Sequence, residues 1–128
     1  MTDAEGRVGY SRPGDFPNGH LTLTAAAAVC LLRHEQAHVR SAQLARLLEA
    51  LRRDVRPNIG IDYYRYYFLT QAFRAGGAAA GNATPELRAS LLACQAKAGP
   101  AAGSCETADP WSAAGGRVYA TAMAVLAM

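Results

Sequence analysis

The residues with the clearest chemical spacing are His34, Glu35 and His38, which form an H-E-x-x-H pattern. On a helix, histidines four positions apart share a face and can both bind Zn²⁺, while the glutamate between them can act as general base on the metal-bound water. The pattern predicts, as one alternative, a zinc-dependent hydrolase with His34 and His38 as metal ligands and Glu35 as the catalytic residue. The favoured interpretation is a solvated helix end, because a five-residue pattern often arises by chance.

A zinc site of this kind needs a third protein ligand, and the sequence supplies no clear one. In the extended form of the pattern a glycine and a third histidine follow, but Ser41 and Leu44 occupy those positions. Glu49 is the nearest acid downstream and belongs to a different predicted helix, and His20 can contribute only if its loop folds back. The main prediction is therefore no catalytic residue, no metal and no cofactor, with zinc kept as the alternative.

The cysteines do not indicate a second kind of site. Cys30, Cys94 and Cys105 are odd in number and widely spaced, and none of them forms a C-x-x-C pair. Neither a disulfide framework nor a cysteine-bound zinc ion is therefore predicted.

The most distinctive stretch is the aromatic segment 61–77, which holds four of the six tyrosines within five positions. Asp62 precedes the first turn and Gly76 with Gly77 closes the segment, so we expect one helix with an acid at its start and a glycine stop. At 3.6 residues per turn, one face of this helix carries five residues: Tyr63, Tyr66, Tyr67, Thr70 and Phe73. A helix that is aromatic almost all round is expected to be buried among other helices.

Composition favours an all-α domain, because alanine supplies much of the 51% apolar content and small side chains let helices approach closely. The net charge is only +3 and the arginines are scattered, so nucleic-acid binding is not predicted. No signal peptide opens the 128-residue chain, and no apolar run reaches the ~18 residues of a membrane span. The predicted location is therefore the cytoplasm.

Helical periodicity and punctuation by glycine and proline divide the chain into elements. Residues 1–20 are predicted to be a loop-rich N-terminal segment, and residues 21–128 a helical domain. An amphipathic helix opened by Ser41 is expected to end at Pro57 and Asn58, and residues 78–84 are read as a linker. The predicted helices cover residues 21–40, 41–56, 61–77, 84–97 and 116–128.

The three apolar helices align on Thr24, Thr70 and Thr121, which are separated by 46 and 51 residues. An amphipathic helix with leucines on one side lies between each successive pair. This pattern predicts an array of helical hairpins, in which one helix faces an interior and the next covers it from outside.

The sequence resembles the α/α toroids of the terpenoid cyclases and protein prenyltransferases, and in particular bacterial proteins with squalene-cyclase-type (prenyltransferase and squalene oxidase) repeats. The resemblance covers most of the chain beyond Leu21 and is carried by Asp62-Tyr63-Tyr64-Arg65-Tyr66-Tyr67 with Gly76-Gly77, by Leu91-Leu92-Ala93-Cys94-Gln95, by Gly103-Ser104 and Asp109-Pro110-Trp111, and by residues 115–123. It implies stacked helical hairpins forming part of an α/α toroid. Five to seven hairpins close a ring in that family, and this chain supplies about two and a half. We therefore expect a fragment, or a piece that associates with itself or with further toroid repeats.

No catalytic set of that family carries over to this chain. Cyclases of this fold use an Asp-x-Asp-Asp acid, which is absent here, because Asp62 and Asp109 each stand alone. The residues around Cys105 likewise lack the Asp-x-Cys spacing of a prenyltransferase zinc site. The predicted function is thus a binding or scaffold module that is not catalytic alone. The alternative is part of a terpenoid cyclase or prenyltransferase whose catalytic residues lie in missing repeats.

The resemblance also implies a role for the aromatic residues. In a toroid, side chains of the inner helices would line a cavity. Aromatic side chains would present their π faces to it, which suits an apolar or isoprenoid ligand. The candidates for this lining are Tyr63, Tyr66, Tyr67, Thr70, Phe73 and Tyr119. The competing interpretation, which aromatics at helical spacing favour, is ordinary core packing.

Overall fold

A computed structural model describes residues 1–34, 41–55, 60–77 and 83–128, and in these ranges the protein is all-helical, as predicted. Five α-helices are present in the described residues, together with a short 3₁₀ turn at Pro17–Gly19 and two isolated β-bridges. None of these helices is long and apolar enough to cross a membrane. The helices are α1 (Thr22–Arg33), α2 (Ser41–Asp54), α3 (Tyr63–Gly76), α4 (Ala83–Ala93) and α5 (Ser112–Ala127).

The aromatic helix α3 begins and ends where the sequence predicts. The side chain of Asp62 accepts a hydrogen bond from the backbone N–H of Arg65 at 3.0 Å, which is the geometry of an N-cap. At the other end Gly77 has a φ of 54°, a conformation that favours glycine and stops the helix. Both termini are therefore fixed by residues that can be recognised in the sequence.

Other helix boundaries differ from the prediction. Helix α1 was expected to run on to residue 40, but it ends at Arg33, and His34 has an extended backbone with φ −84° and ψ 130°. Helix α4 ends at Ala93, before Lys97, because Gln95 pairs with Cys105 in a β-bridge. Helix α5 starts at Ser112, before a kink at Gly116. Pro57, Asn58 and residues 78–82 of the predicted linker lie outside the described residues.

The helices with odd numbers pack side by side, α1 against α3 and α3 against α5, and we call this arrangement the α1–α3–α5 row. Helix α2 packs against α1 and α3, and α4 packs against α3. Alanines with almost no exposed surface lie in all three helices of the row, which lets their backbones approach closely. These alanines are Ala25, Ala28, Ala72, Ala120, Ala124 and Ala127.

A hydrogen bond of the same form occurs at each end of the row. The backbone N–H of Val8 donates to Thr24 Oγ1 at 2.9 Å, and the backbone N–H of Cys105 donates to Thr121 Oγ1 at 3.0 Å. In both cases the donor precedes the threonine by 16 residues, and the two threonines are 97 positions apart. The loop before α1 and the loop before α5 are therefore fastened to their helices in the same way.

The loops themselves repeat as well. Residues 1–9 form an N-terminal hairpin and residues 94–106 a C-terminal hairpin, and Gly6 and Gly103, also 97 positions apart, have φ values of 87° and 85°. Three backbone hydrogen bonds recur in both hairpins. Their N–H to C=O pairs are Asp3–Arg7, Gly6–Asp3 and Gly9–Met1 in the first and Ala96–Ser104, Gly103–Ala96 and Glu106–Cys94 in the second. The N-terminal hairpin with α1 thus shares its threonine bond and these three backbone bonds with the C-terminal hairpin and α5. The domain boundary at residue 20 remains a prediction.

The middle threonine does not share this bond. Thr70 is buried in α3, and its Oγ1 has no hydrogen-bond partner among the described residues. The alignment on three threonines thus corresponds to a repeated local structure at Thr24 and Thr121, with α3 packed between the two.

Candidate functional site

The start of α3 is built around two buried carboxylates, Asp62 and Asp109. Asp62 caps α3, whereas Asp109 joins two helices. Asp109 Oδ2 accepts from the backbone N–H of Tyr63 at 3.2 Å, and Oδ1 accepts from the backbone N–H of Ser112 at 2.7 Å and from the Ser112 hydroxyl. A negative charge at a helix N-terminus is favourable, so Asp109 stabilises the starts of both α3 and α5.

Tyr63 ties the same region to the C-terminal hairpin. Its hydroxyl donates to the backbone carbonyl of Glu106 at 2.7 Å, and its side chain is fully buried. Burial raises the pKa of Tyr63 well above its usual value, so the phenol stays protonated and able to donate. Tyr63 is therefore held in a structural hydrogen bond beneath the surface.

The six residues predicted to line a ligand cavity fall into two groups. Tyr63, Tyr66, Thr70 and Phe73 are buried, whereas Tyr67 and Tyr119 are half-buried. Burial of side chains on a helix that packs against α1, α2, α4 and α5 is what core packing produces. A role in lining a ligand cavity remains a prediction for all six.

A second set of aromatic side chains, which shares Tyr67 with the first, reaches the surface beside these residues. Tyr64 and Trp111 are exposed, while Tyr67 and Phe68 are half-buried. The Phe68 ring meets Tyr64 and Tyr67 edge to face, with centroids 5.0 Å and 5.1 Å apart, and the rings of Tyr64 and Trp111 lie 6.3 Å apart. We call these four residues the aromatic surface.

Part of the aromatic surface could be read from the sequence. Tyr64, Tyr67 and Phe68 have the i, i+3, i+4 spacing that places side chains together on one helix face. Trp111 comes from the loop before α5, and its approach to Tyr64 depends on how that loop folds. Helical spacing therefore signals three of the four residues, and the fourth requires the tertiary structure.

Tyr119 lies close to the aromatic surface, near Tyr64 and the two carboxylates. Burial is the main cause that raises the pKa of Tyr119 to about 12, and the negative charges of Asp109 and Asp62 contribute in the same direction. The phenol is therefore neutral at physiological pH. The area combines aromatic rings, a neutral hydroxyl and acids that are already engaged in helix capping.

A second polar cluster joins α3 to the end of α2. Arg65 is almost fully buried, and its Nη2 donates to Asp54 Oδ2 at 2.9 Å and to the Asp54 carbonyl at 2.6 Å. His20 is buried nearby, and its Nδ1 has no partner among the described residues. Burial, followed by the positive charge of Arg65, lowers the pKa of His20. The ion pair of Arg65 with Asp54 thus links α3 to the end of α2 in the protein interior.

One cavity borders α2 and another borders α4. A cavity of about 740 Å³ lies between part of the N-terminal hairpin and α2, and its charged lining is of both signs, including Arg7, Arg46 and Glu49. A second cavity of about 450 Å³ lies between α3 and α4 and is lined by Arg65, Tyr66 and Leu87 among others. Because Val55, just after α2, also borders the second cavity, α2 and α4 approach the same side of α3.

The H-E-x-x-H pattern begins at the end of α1. His34 is exposed and extended, so α1 does not continue through it as the zinc hypothesis assumed. Glu35 and His38 lie outside the described residues. Within the described ranges, no group of three His, Cys, Asp or Glu side chains is placed to hold a metal ion. The zinc site remains an alternative prediction.

The cysteines differ in accessibility. Cys30 is exposed on α1, Cys94 is half-buried and Cys105 is buried. Burial raises the pKa of the Cys94 and Cys105 thiols, which keeps them protonated at neutral pH. Neither of these two thiols has the depressed pKa of a nucleophilic cysteine.

Comparison of the chain with protein-family models, with curated proteins and with solved structures finds no match. Its function is therefore inferred from the chemistry of the aromatic surface and from the repeated local structure at the two ends of the row.

Proposed function

We propose that the chain is a helical-repeat module of the α/α toroid type that acts by binding or as a scaffold and is not catalytic alone. The observation that carries this proposal is the repeated unit of hairpin, threonine bond and apolar helix, which occurs before and after α3. Repeat proteins are built from such units, each of which buries its apolar face against a neighbour. The side-by-side packing of α1, α3 and α5 gives further support.

The aromatic surface supports a binding role for the module. Its edge-to-face rings form an apolar patch in which Tyr64 and Trp111 are exposed. Aromatic side chains contribute large contact areas and attract apolar or cationic groups through their π faces. We propose that the aromatic surface binds an apolar, isoprenoid-like ligand. The proposed location of the protein is the cytoplasm.

The polar groups nearest the aromatic surface favour binding over catalysis. The Asp109 carboxylate already accepts bonds from Tyr63 and Ser112, and the Asp62 side chain accepts from Arg65 N–H. A general acid or base needs a proton position open to a substrate, whereas these oxygens stabilise helix starts. Membership of a larger cyclase or prenyltransferase, and the zinc hydrolase, remain alternative predictions.

Fluorescence of Trp111 tests the binding role directly, because it is the only tryptophan and lies on the proposed surface. Titration with an isoprenoid alcohol such as farnesol is expected to give a saturable change in emission. Phe68→Ala removes the ring that contacts both tyrosines and is expected to weaken binding about tenfold, which corresponds to ~1.4 kcal/mol.

Tyr10→Ala is the matched control, because Tyr10 is an exposed tyrosine of the N-terminal segment outside the aromatic surface. It is expected to bind like the unmodified protein. A linear, non-saturating response, or equal affinities for the Phe68→Ala and unmodified proteins, would reject the aromatic surface as the binding site.

A further inference from the structure

Helices α1 and α5 are equivalent in the repeat but differ in what covers them. A shift of 97 positions relates Leu21, Ala25, Ala28 and Val29 to Val118, Ala122, Val125 and Leu126. The first four residues belong to the core and are at most 8% exposed, because α2 and α3 pack against α1. Their counterparts on α5 are exposed, with values of 83% for Val118, 60% for Val125 and 56% for Leu126.

The converse holds on the opposite side of the two helices. Ala120, Ala124 and Ala127 of α5 are at most 2% exposed, and α3 is the helix that packs against α5. The same shift relates them to Leu23, Ala27 and Cys30 of α1. Leu23 and Ala27 are half-exposed and Cys30 is exposed.

The row therefore ends in two apolar faces, one on α5 that the described residues leave exposed and one on α1 that they cover only in part. The α5 face consists of Val118, Ala122, Val125 and Leu126, and the α1 face consists of Leu23, Ala27 and Cys30. Each face has a counterpart, at the other end of the row, that is buried inside the protein. Both faces thus have the apolar composition of a helix contact that is buried elsewhere in the protein.

We infer that the α5 face of one copy binds the α1 face of a second copy, which extends the row from one chain into the next. The α5 face carries three large branched side chains, whereas the α1 face is centred on Ala27 and Cys30, so large residues meet small ones. Neither face contains a charged residue that contact would desolvate. The inference rests on the proposed function in that it treats the chain as an assembling repeat module.

An association of this kind joins two different surfaces of the same protein. Such heterologous contacts form closed rings if the rotation between copies closes, and open filaments if it does not. Every copy has one α1 face and one α5 face, so it can contact one neighbour through each. Blocking either face alone should therefore stop assembly, while two copies blocked on different faces should still pair.

Light scattering after size-exclusion chromatography gives the test. The unmodified protein is expected to have at least about twice its chain mass of 13.5 kDa, and Val125→Lys and Cys30→Lys are each expected to have the chain mass. An equimolar mixture of these two variants is expected to contain a pair of about twice the chain mass and nothing larger. Leu92→Lys, which alters an exposed leucine of α4, should assemble like the unmodified protein.

Three outcomes would overturn the inference: an unmodified protein that stays at the chain mass, a mixture that does not pair, or loss of assembly in Leu92→Lys. Circular dichroism establishes that each variant is folded, and Val118→Lys at the most exposed position of the α5 face replaces Val125→Lys if the latter unfolds. The farnesol titration is independent of mass, so failure of assembly and failure of ligand binding can be told apart.

Discussion

The side-chain oxygen of Thr121 accepts a hydrogen bond at 3.0 Å from the backbone N–H of Cys105, sixteen residues earlier in the chain. The Thr121 hydroxyl in turn donates to the carbonyl of Arg117 at 2.8 Å, so both of its hydrogen-bonding roles are used. One small side chain thereby fixes the C-terminal hairpin onto α5. Since Thr24 holds Val8 in the same way, a single kind of contact sets the position of a hairpin at each end of the row.

Replacing Thr121 by valine keeps the shape of the side chain but removes the acceptor. The N–H of Cys105, a buried residue, then loses its partner, and we expect a loss of about 1–3 kcal/mol in the free energy of unfolding. Urea unfolding followed by circular dichroism measures this change. Thr107→Val, at an exposed loop position, is the control, and equal stabilities for the two variants would refute the structural role of the bond.

Asp109→Ala is expected to destabilise the protein more than Asp62→Ala. Asp109 accepts from the first turns of both α3 and α5, whereas the Asp62 side chain accepts from α3 only. Loss of an N-cap side chain typically costs about 1 kcal/mol, so the expected losses are roughly 2 kcal/mol and 1 kcal/mol. Thermal unfolding of the two variants measures the difference, and a larger loss for Asp62→Ala would contradict the bridging role of Asp109.

The ion pair between Arg65 and Asp54 gives a prediction about a buried charge. Asp54→Ala leaves the Arg65 guanidinium buried without its carboxylate, and such losses typically cost about 3–5 kcal/mol. Glu49→Gln removes exposed ion pairs with Arg52 and Arg53 and should leave stability nearly unchanged. Urea midpoints compare the two variants. Similar small effects for both would show that Arg65 is not held as described.

His20 should make the stability of the fold depend on pH. Its pKa in the folded protein is lowered from 6.5, chiefly by burial and secondarily by Arg65, although Asp62 and Asp54 oppose the shift. The unfolded chain therefore binds the proton more readily than the folded protein. The stability that the neutral His20 contributes is fully present above pH 6.5 and is lost as the pH falls from there toward the folded pKa. Unfolding at a series of pH values is expected to show less acid sensitivity for His20→Gln. An unchanged pH profile would show that His20 does not titrate as inferred.

The sequence is most informative where a local residue controls a local event. Asp62 and Gly77 set the ends of α3, and both residue types are recognisable at a helix start and stop. The spacing of Gly6, Gly19 and Thr24 also recurs unchanged at Gly103, Gly116 and Thr121. That recurrence is the signal by which the N-terminal hairpin could have been recognised as part of the repeat.

Features that depend on distant residues are not predictable in this way. The burial of Arg65 requires Asp54 on another helix, and the contact of Trp111 with Tyr64 requires the fold of a loop about 47 positions later in the chain. The turn of the C-terminal hairpin is also four residues longer than the turn of the N-terminal hairpin. Residues before the turn therefore correspond at a separation four residues shorter than residues after it. Helix periodicity carries no information about such contacts.

Amide hydrogen exchange of Val8 and Cys105, followed by NMR, tests the central claim that the hairpins and helices at the two ends of the row are equivalent. Both N–H groups donate to a threonine, so both are expected to exchange far more slowly than amides of a free peptide. Thr24→Val should accelerate exchange at Val8 alone, and Thr121→Val at Cys105 alone. Exchange of either amide at the free-peptide rate in the unmodified protein would contradict the equivalence of the two units.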